Sequence, residues 1–215
     1  MSINLNIAPL VLTAAALAVP FTAQAQDAKL GVGLGVSTMG AELELVYPYS
    51  QAMSFRGFYA GGLSQDFNET QGDVDYAVNA KLGGFGAMVD YHPFTSGWRF
   101  SGGVFASDTS ITATSTITSA TTIGDNDYLT GTIDGNVKFK RKVAPMVSFG
   151  YDWQFESGWS VNADLGAIMS GLVVSATASD NIPQDDLTKE IAEVQDELDK
   201  IPAIPYISFG VNYRF

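Results

Sequence analysis

The chain has 215 residues, 46% of them hydrophobic and 16% charged, with 22 glycines, no cysteine and a formal charge of −12. That length suits one domain, the lack of cysteine excludes disulfides and thiolate metal sites, and the acidic balance argues against a nucleic-acid partner, which needs basic surface. No stretch of the body reaches the roughly 18 apolar residues of a helical span, so low charge with abundant glycine and aromatics points to a membrane crossed by strands.

Residues 1–25 read as a secretory signal peptide. Ile7 to Phe21 is apolar, and Ala23-Gln24-Ala25 is a small-x-small cleavage site. The pattern departs from the usual one in having no Lys or Arg before the apolar region. Residues 26–215 then form the barrel domain. From Lys29, alternation begins with Leu30, Val32, Leu34 and Val36 on one face and small residues on the other. After Thr38-Met39-Gly40 the parity flips, with Leu43, Leu45 and Tyr47 set against Glu42 and Glu44. This is either one bulged strand or a tight hairpin. Further strands are expected at 53–65, 75–91, 98–107, 137–155, 159–178 and 204–215. A hairpin makes the total eight, an even number as in bacterial single-chain barrels, and eight is adopted.

Short turns at 48–51, 93–97 and 156–158 alternate with long polar loops at 66–74, 108–136 and 179–203. In the Thr/Ser-rich 108–136, Ile111, Ile117 and Ile123 alternate, so that segment either extends its hairpin above the membrane or stays mobile. Short periplasmic turns and long external loops are the pattern of an outer-membrane barrel. The segments Asp90-Tyr91-His92-Pro93-Phe94 and Asp152-Trp153-Gln154-Phe155 run into similar Ser-Gly-Trp turns. Tyr47, Tyr49, Phe55, Tyr91, Trp98 and Trp159 fall near the same end of their strands, an aromatic girdle at one membrane interface. In the last strand, Ile207, Phe209, Val211, Tyr213 and Phe215 alternate with small or polar residues and end on an aromatic.

With its terminal Tyr213-Arg214-Phe215, its alternating strands and its turn pattern, the chain resembles the small eight-stranded outer-membrane barrels of Gram-negative bacteria. This is the OmpA/OmpX/OmpW-like superfamily, and more closely a set of uncharacterised proteobacterial barrels sharing motifs like Trp98-Arg99-Phe100 and Val143-Ala144-Pro145. The resemblance implies an all-β, antiparallel up-and-down transmembrane barrel in the outer membrane. It also implies that the final strand, through Phe209, Val211, Tyr213 and Phe215, carries the signal read by the barrel-assembly machinery.

The face assignment sends Glu42, Glu44, Arg56, Asp90, Arg99, Asp152, Asp164 and Arg214 into the lumen. A turn centred on Ser50 sets Glu44 opposite Arg56, and one centred on Phe94-Thr95 sets Asp90 opposite Arg99. An eight-stranded barrel is filled by its own side chains, so these charges must pair or stay hydrated. His92 faces inward without a nucleophile beside it, and one His without Cys makes no metal site. No catalytic residue, cofactor or metal is therefore expected, and the protein reads as non-enzymatic. In Val137-Lys138-Phe139-Lys140-Arg141-Lys142, Val137 and Phe139 are read as outward. The lysines then face inward or rise above the membrane, with Arg141 at the headgroups, where lipopolysaccharide phosphates are a candidate ligand. From Asp185 to Ile201, Leu187, Ile191, Val194, Leu198 and Ile201 recur at helical spacing. That helix folds over the barrel or a neighbouring loop, or meets an external partner. The functional expectation is a structural or surface-interaction barrel with a plugged lumen; the alternative is a narrow passive channel for small solutes.

Overall fold

A computed structural model of the chain describes residues 30–71, 74–94, 97–118, 120–123, 126–179 and 182–215. The expected signal peptide lies outside these residues. In chain order the elements are β1 (Gly31–Ser37), β2 (Gly40–Pro48), β3 (Met53–Gln71), β4 (Val74–Tyr91), β5 (Trp98–Ser107), β6 (Ser110–Ile117) and β7 (Thr121–Ile123). They continue with β8 (Asn126–Tyr128), β9 (Gly131–Phe139), β10 (Val143–Gln154), β11 (Trp159–Ile168), β12 (Leu172–Ala178), α1 (Gln184–Leu198) and β13 (Ile204–Arg214).

Eight antiparallel strands close on themselves in the order β1-β2-β3-β4-β5-β10-β11-β13, with β13 returning to β1. The hairpin reading of the first pair holds. Ser37 pairs with Gly40 across Thr38 and Met39, and Gly40 sits at φ +125°, a backbone state open to glycine. The outer wall is apolar, with Leu34 at 61% and Phe85 at 63% exposure. A continuous belt of this kind is tolerable only against lipid. The expected girdle forms at the end that carries the short turns. Trp159 packs on Tyr213 and Tyr213 on Phe215, with ring centroids 5.0 and 5.2 Å apart. No helix among the described residues is long and apolar enough to cross a membrane.

Two expected strands are corrected. Residues 137–155 and 159–178 each break in the middle, at Lys140–Lys142 and at Met169–Gly171. A third break, at Asp108–Thr109, lies at the same level. There, Thr109 Oγ1 accepts from Gly83 N at 3.2 Å and Asp108 N donates to Gly83 O at 2.9 Å. At this level β4 changes partner, from β5 over residues 84–91 to β6 over 74–81. The upper parts of β3 and β4 run on with β6, β9 and β12 as a five-stranded arm rising from one side of the barrel. The segment read as a loop at 66–74 is therefore mostly strand, and 108–136 takes the first of its two expected forms, strand extended above the barrel. The wall must kink because the arm leaves the curvature of the closed barrel.

Polarity inverts at the same breaks. Below them, the outward row across β4, β5 and β10 is Phe85, Ala106 and Val143. Above, the outward rows across β4, β6, β9 and β12 are Lys81-Ser110-Lys138-Val173 and then Asn79-Thr112-Asn136-Ser175. Ile111, Val137 and Val174 share the arm's opposite, half-buried face. A strand wall that is apolar outside in one part and polar outside in the next has crossed from lipid to water.

The predicted helix forms as α1 and packs on the arm. Its first turn carries Asp185 and Asp186, which suit the positive end of the helix dipole. Asp186 accepts hydrogen bonds from Asn126 Nδ2 at 2.8 Å and Tyr128 Oη at 2.5 Å, tying the helix to the small β7–β8 hairpin. Gln195 closes the free edge of β12. Its Oε1 accepts from Val174 N at 3.1 Å and its Nε2 donates to Leu172 O at 3.0 Å. Of the apolar stripe, Leu187 is buried, Ile191 and Leu198 are half-buried, and Val194 and Ile201 stay exposed.

Candidate functional site

The lumen holds two stacked layers. Toward the short turns lies a charged layer centred on Arg56, which is 2% exposed. Arg56 Nη2 donates to Asp90 Oδ1 at 3.1 Å and Ser101 Oγ at 3.3 Å, and Nη1 donates to Asp164 Oδ2 at 3.2 Å. Glu44 stands 3.7 Å from Nη1. Arg99 holds both oxygens of Asp152, at 2.8 and 3.1 Å, and reaches Asp164 Oδ2 at 2.5 Å. Asp164 therefore bridges the two arginines, and Ser148 donates to its other oxygen at 3.0 Å. Burying this many charges is tolerable only because nearly every one meets an opposite charge and a hydrogen bond.

The inward faces agree with the sequence reading, but several partners do not. Asp90 belongs to Arg56 rather than Arg99, because Asp90 registers with Ser101. Val46, not Glu44, lies directly across from Arg56, and Glu44 meets it on the diagonal. In both hairpins the turn centre lies one residue beyond the expected position. A one-residue shift in the centre moves each partner by two, so faces are kept and pairs are lost. Glu42 stands apart, hydrogen-bonded by Tyr206 Oη at 2.8 Å. Arg214 shares the inward parity but is exposed at the mouth. There it lines a cavity of about 380 Å³ with Ser54, His92, Arg99, Asp152 and Asn212. His92 Nε2 lies 3.4 Å from Asp152 Oδ2. Among the described residues, no group of three or more His, Asp or Glu is placed to hold a metal ion.

Above the charges sits an apolar cap. Phe58, Phe105 and Phe139 pack in series, with centroids 6.1 and 6.4 Å apart, and Tyr206 packs on Phe58 at 5.9 Å. Met39, Met88, Met146 and Ile168 fill the space between them. The reading of Val137 and Phe139 as outward is thus corrected. Phe139 points into the lumen, so Lys138 points out, and the bend at 140–142 restores the parity of β10.

The architecture matches solved structures. Acinetobacter baumannii CarO aligns over 86% of this chain and 97% of its own, at 19% identity and a TM-score of 0.61. Acinetobacter baumannii CarO2 aligns over 86% and 98%, at 20% identity and the same score. The chain has the fold of the small eight-stranded outer-membrane barrels. A major outer membrane protein from Thermus thermophilus aligns at 13% identity and a TM-score of 0.41, too distant to weigh. No protein-family model and no curated protein sequence matches the chain. At these identities the likeness is one of fold.

Sequence reasoning missed the neutral members of the layer. Asn162 donates to Glu44 Oε1 at 2.9 Å, and Ser208 Oγ lies 3.5 Å from Asp164 Oδ2. Their signal was the inward parity of Asn162 with Asp164 and of Ser208 with Tyr206, which an inventory of charges alone does not pick up.

Proposed function

We propose that this is an outer-membrane barrel with a sealed lumen, serving as a structural or surface-interaction element of the cell envelope rather than as a channel or an enzyme. The observation that carries this is the stacking of two different barriers on one axis. The apolar cap of Met39, Phe58, Phe105, Met146, Ile168 and Tyr206 excludes ions. Beneath it, the Arg56–Asp164–Arg99 bridge excludes apolar solutes and ties opposite walls together. The mouth cavity ends against Arg99 and Asp152. The outward apolar residues of β13 suit recognition by the barrel-assembly machinery. The exposed Val194 and Ile201 are the part of the α1 stripe that an external partner would reach.

Single-channel recording in planar bilayers tests the reading. The wild-type protein is expected to give no conductance steps, and so are Phe105→Ala and Arg99→Ala singly, since each leaves the other barrier standing. Reproducible steps from the wild type would favour a narrow channel instead.

A further inference from the structure

We propose that the outer face of the arm is a binding site for an anionic glycolipid of the leaflet from which the arm rises, phosphates held at the breaks and sugars above them. This rests on the outer-membrane reading. Lys138, Lys140, Arg141 and Lys142 fall together in a chain whose formal charge is −12. They lie immediately above the last apolar row of the wall, Phe85-Ala106-Val143, which is the level of lipid headgroups.

The bend that carries them is fixed by hydrogen bonds rather than left loose. Lys140 N donates to Gly171 O at 2.8 Å, Arg141 N to Ser170 Oγ at 3.1 Å, and Ser107 N to Lys142 O at 2.7 Å. Lys140 is paired with Asp199 at 3.3 Å, and Lys81 with Asp108 at 3.0 Å. Lys138, Arg141 and Lys142 have no ion-pair partner among the described residues and stand exposed. They present three cations from a fixed backbone, which suits a phosphate better than a free lysine tail does.

Directly above lies a cleft of about 310 Å³, lined by Thr112, Thr114, Asp134, Asn136, Ser175 and Thr177. Its side chains are hydroxyls, an amide and one carboxylate. Thr114 donates to Asp134 at 2.6 Å and Asn136 Nδ2 to Ser110 Oγ at 3.0 Å, which leaves oxygen lone pairs to accept from sugar hydroxyls. The cleft has almost no apolar side chain to hold an acyl tail or a peptide. A glycolipid seated beside the barrel carries its groups in the same vertical order: acyl chains along the wall, phosphates at the breaks, saccharide against the cleft. A plain phospholipid satisfies only the first two levels.

The test uses the full barrel in zwitterionic detergent. It is titrated with phosphorylated rough lipopolysaccharide, the same glycolipid dephosphorylated, phosphatidylglycerol and inorganic phosphate, and bound copies are counted by native mass spectrometry. Lipopolysaccharide is expected to bind more tightly than either its dephosphorylated form or phosphatidylglycerol. The triple variant Lys138→Gln, Arg141→Gln, Lys142→Gln should weaken it on the order of 100-fold, about fivefold for each basic residue near an anionic surface. Thr112→Val with Ser175→Ala should weaken lipopolysaccharide and leave phosphatidylglycerol unchanged. Heat-dependent gel mobility checks that each variant still closes its barrel. The proposal is overturned if the triple variant binds normally, if phosphatidylglycerol binds as well as lipopolysaccharide, or if inorganic phosphate displaces the glycolipid at millimolar concentration. Any of these, with the barrel still recovered from the outer-membrane fraction, removes the glycolipid site alone. Recovery from the soluble fraction removes the reading beneath it.

Discussion

Arg56 Nη1 meets the carboxylate of Asp164 at 3.2 Å from the strand diametrically across the barrel, 108 residues away in the chain. This contact ties the first half of the wall to the second across the lumen. Asp164→Ala leaves Arg56 and Arg99 short of a shared counter-charge. Breaking a buried pair in this way costs about 3–5 kcal/mol. Urea unfolding in lipid vesicles, followed by tryptophan fluorescence, should show a midpoint lowered accordingly, with Asp164→Asn falling between. A midpoint equal to wild type would mean that lumen water already satisfies both guanidinium groups.

Phe58 lies flat against the backbone of Gly86. A Cβ built on Gly86 falls 2.0 Å from the ring, so Gly86→Ala forces the ring out of the cap. Overpacking of this kind costs about 1–3 kcal/mol. The same unfolding assay reads it, and Gly102→Ala, whose Cβ meets nothing within 4 Å, is the matched control.

Gln195 gives the arm its finished edge. Gln195→Ala exposes the Val174 amide and the Leu172 carbonyl, each bond contributing about 1 kcal/mol. Hydrogen exchange should accelerate at Val174 while the barrel amides of β1 and β13 keep their protection. Unchanged exchange at Val174 would show that the edge is held by the packing of α1 alone.

The Asp186 carboxylate accepts the Tyr128 hydroxyl and pushes that phenol up to about 12. A raised phenol stabilises the docked helix in full below its ordinary value near 10, and the contribution disappears as pH climbs through the raised one. Helix docking should therefore loosen at strongly alkaline pH in the wild type. Tyr128→Phe should be looser at neutrality and lack that alkaline step. Difference absorbance of the tyrosinate band between the two proteins reads the Tyr128 ionisation, and hydrogen exchange of the α1 amides reads the docking.

The alternation that identified the strands is local, so the inward faces of Glu44, Arg56, Asp90, Arg99, Asp152 and Asp164 were legible without any fold. Which of them meet was not, because partners depend on the turn centre to within a single residue. The Asp90–Arg99 expectation failed on that margin. The helix at α1 was legible because its stripe recurs at a fixed spacing between Pro183 and Pro202. The arm was legible only in part. Thr112, Thr114, Asn136 and Ser175 face water, so strands that alternate in the opposite sense to the barrel below resemble polar loop. The alternation of Ile111, Ile117 and Ile123 left an extended hairpin and a mobile loop both open. Phe139 failed in the same place, since the bend after it reverses parity without any glycine or proline to announce it.

Phe139 and Leu172 belong to arm strands, yet both pack in the lumen cap. The arm is thus not an ornament set on a finished cylinder but the handle of its cork. A load lifting the arm outward would draw these two side chains first. That would thin the seal from above while leaving the Arg56 lattice below to hold the cylinder round.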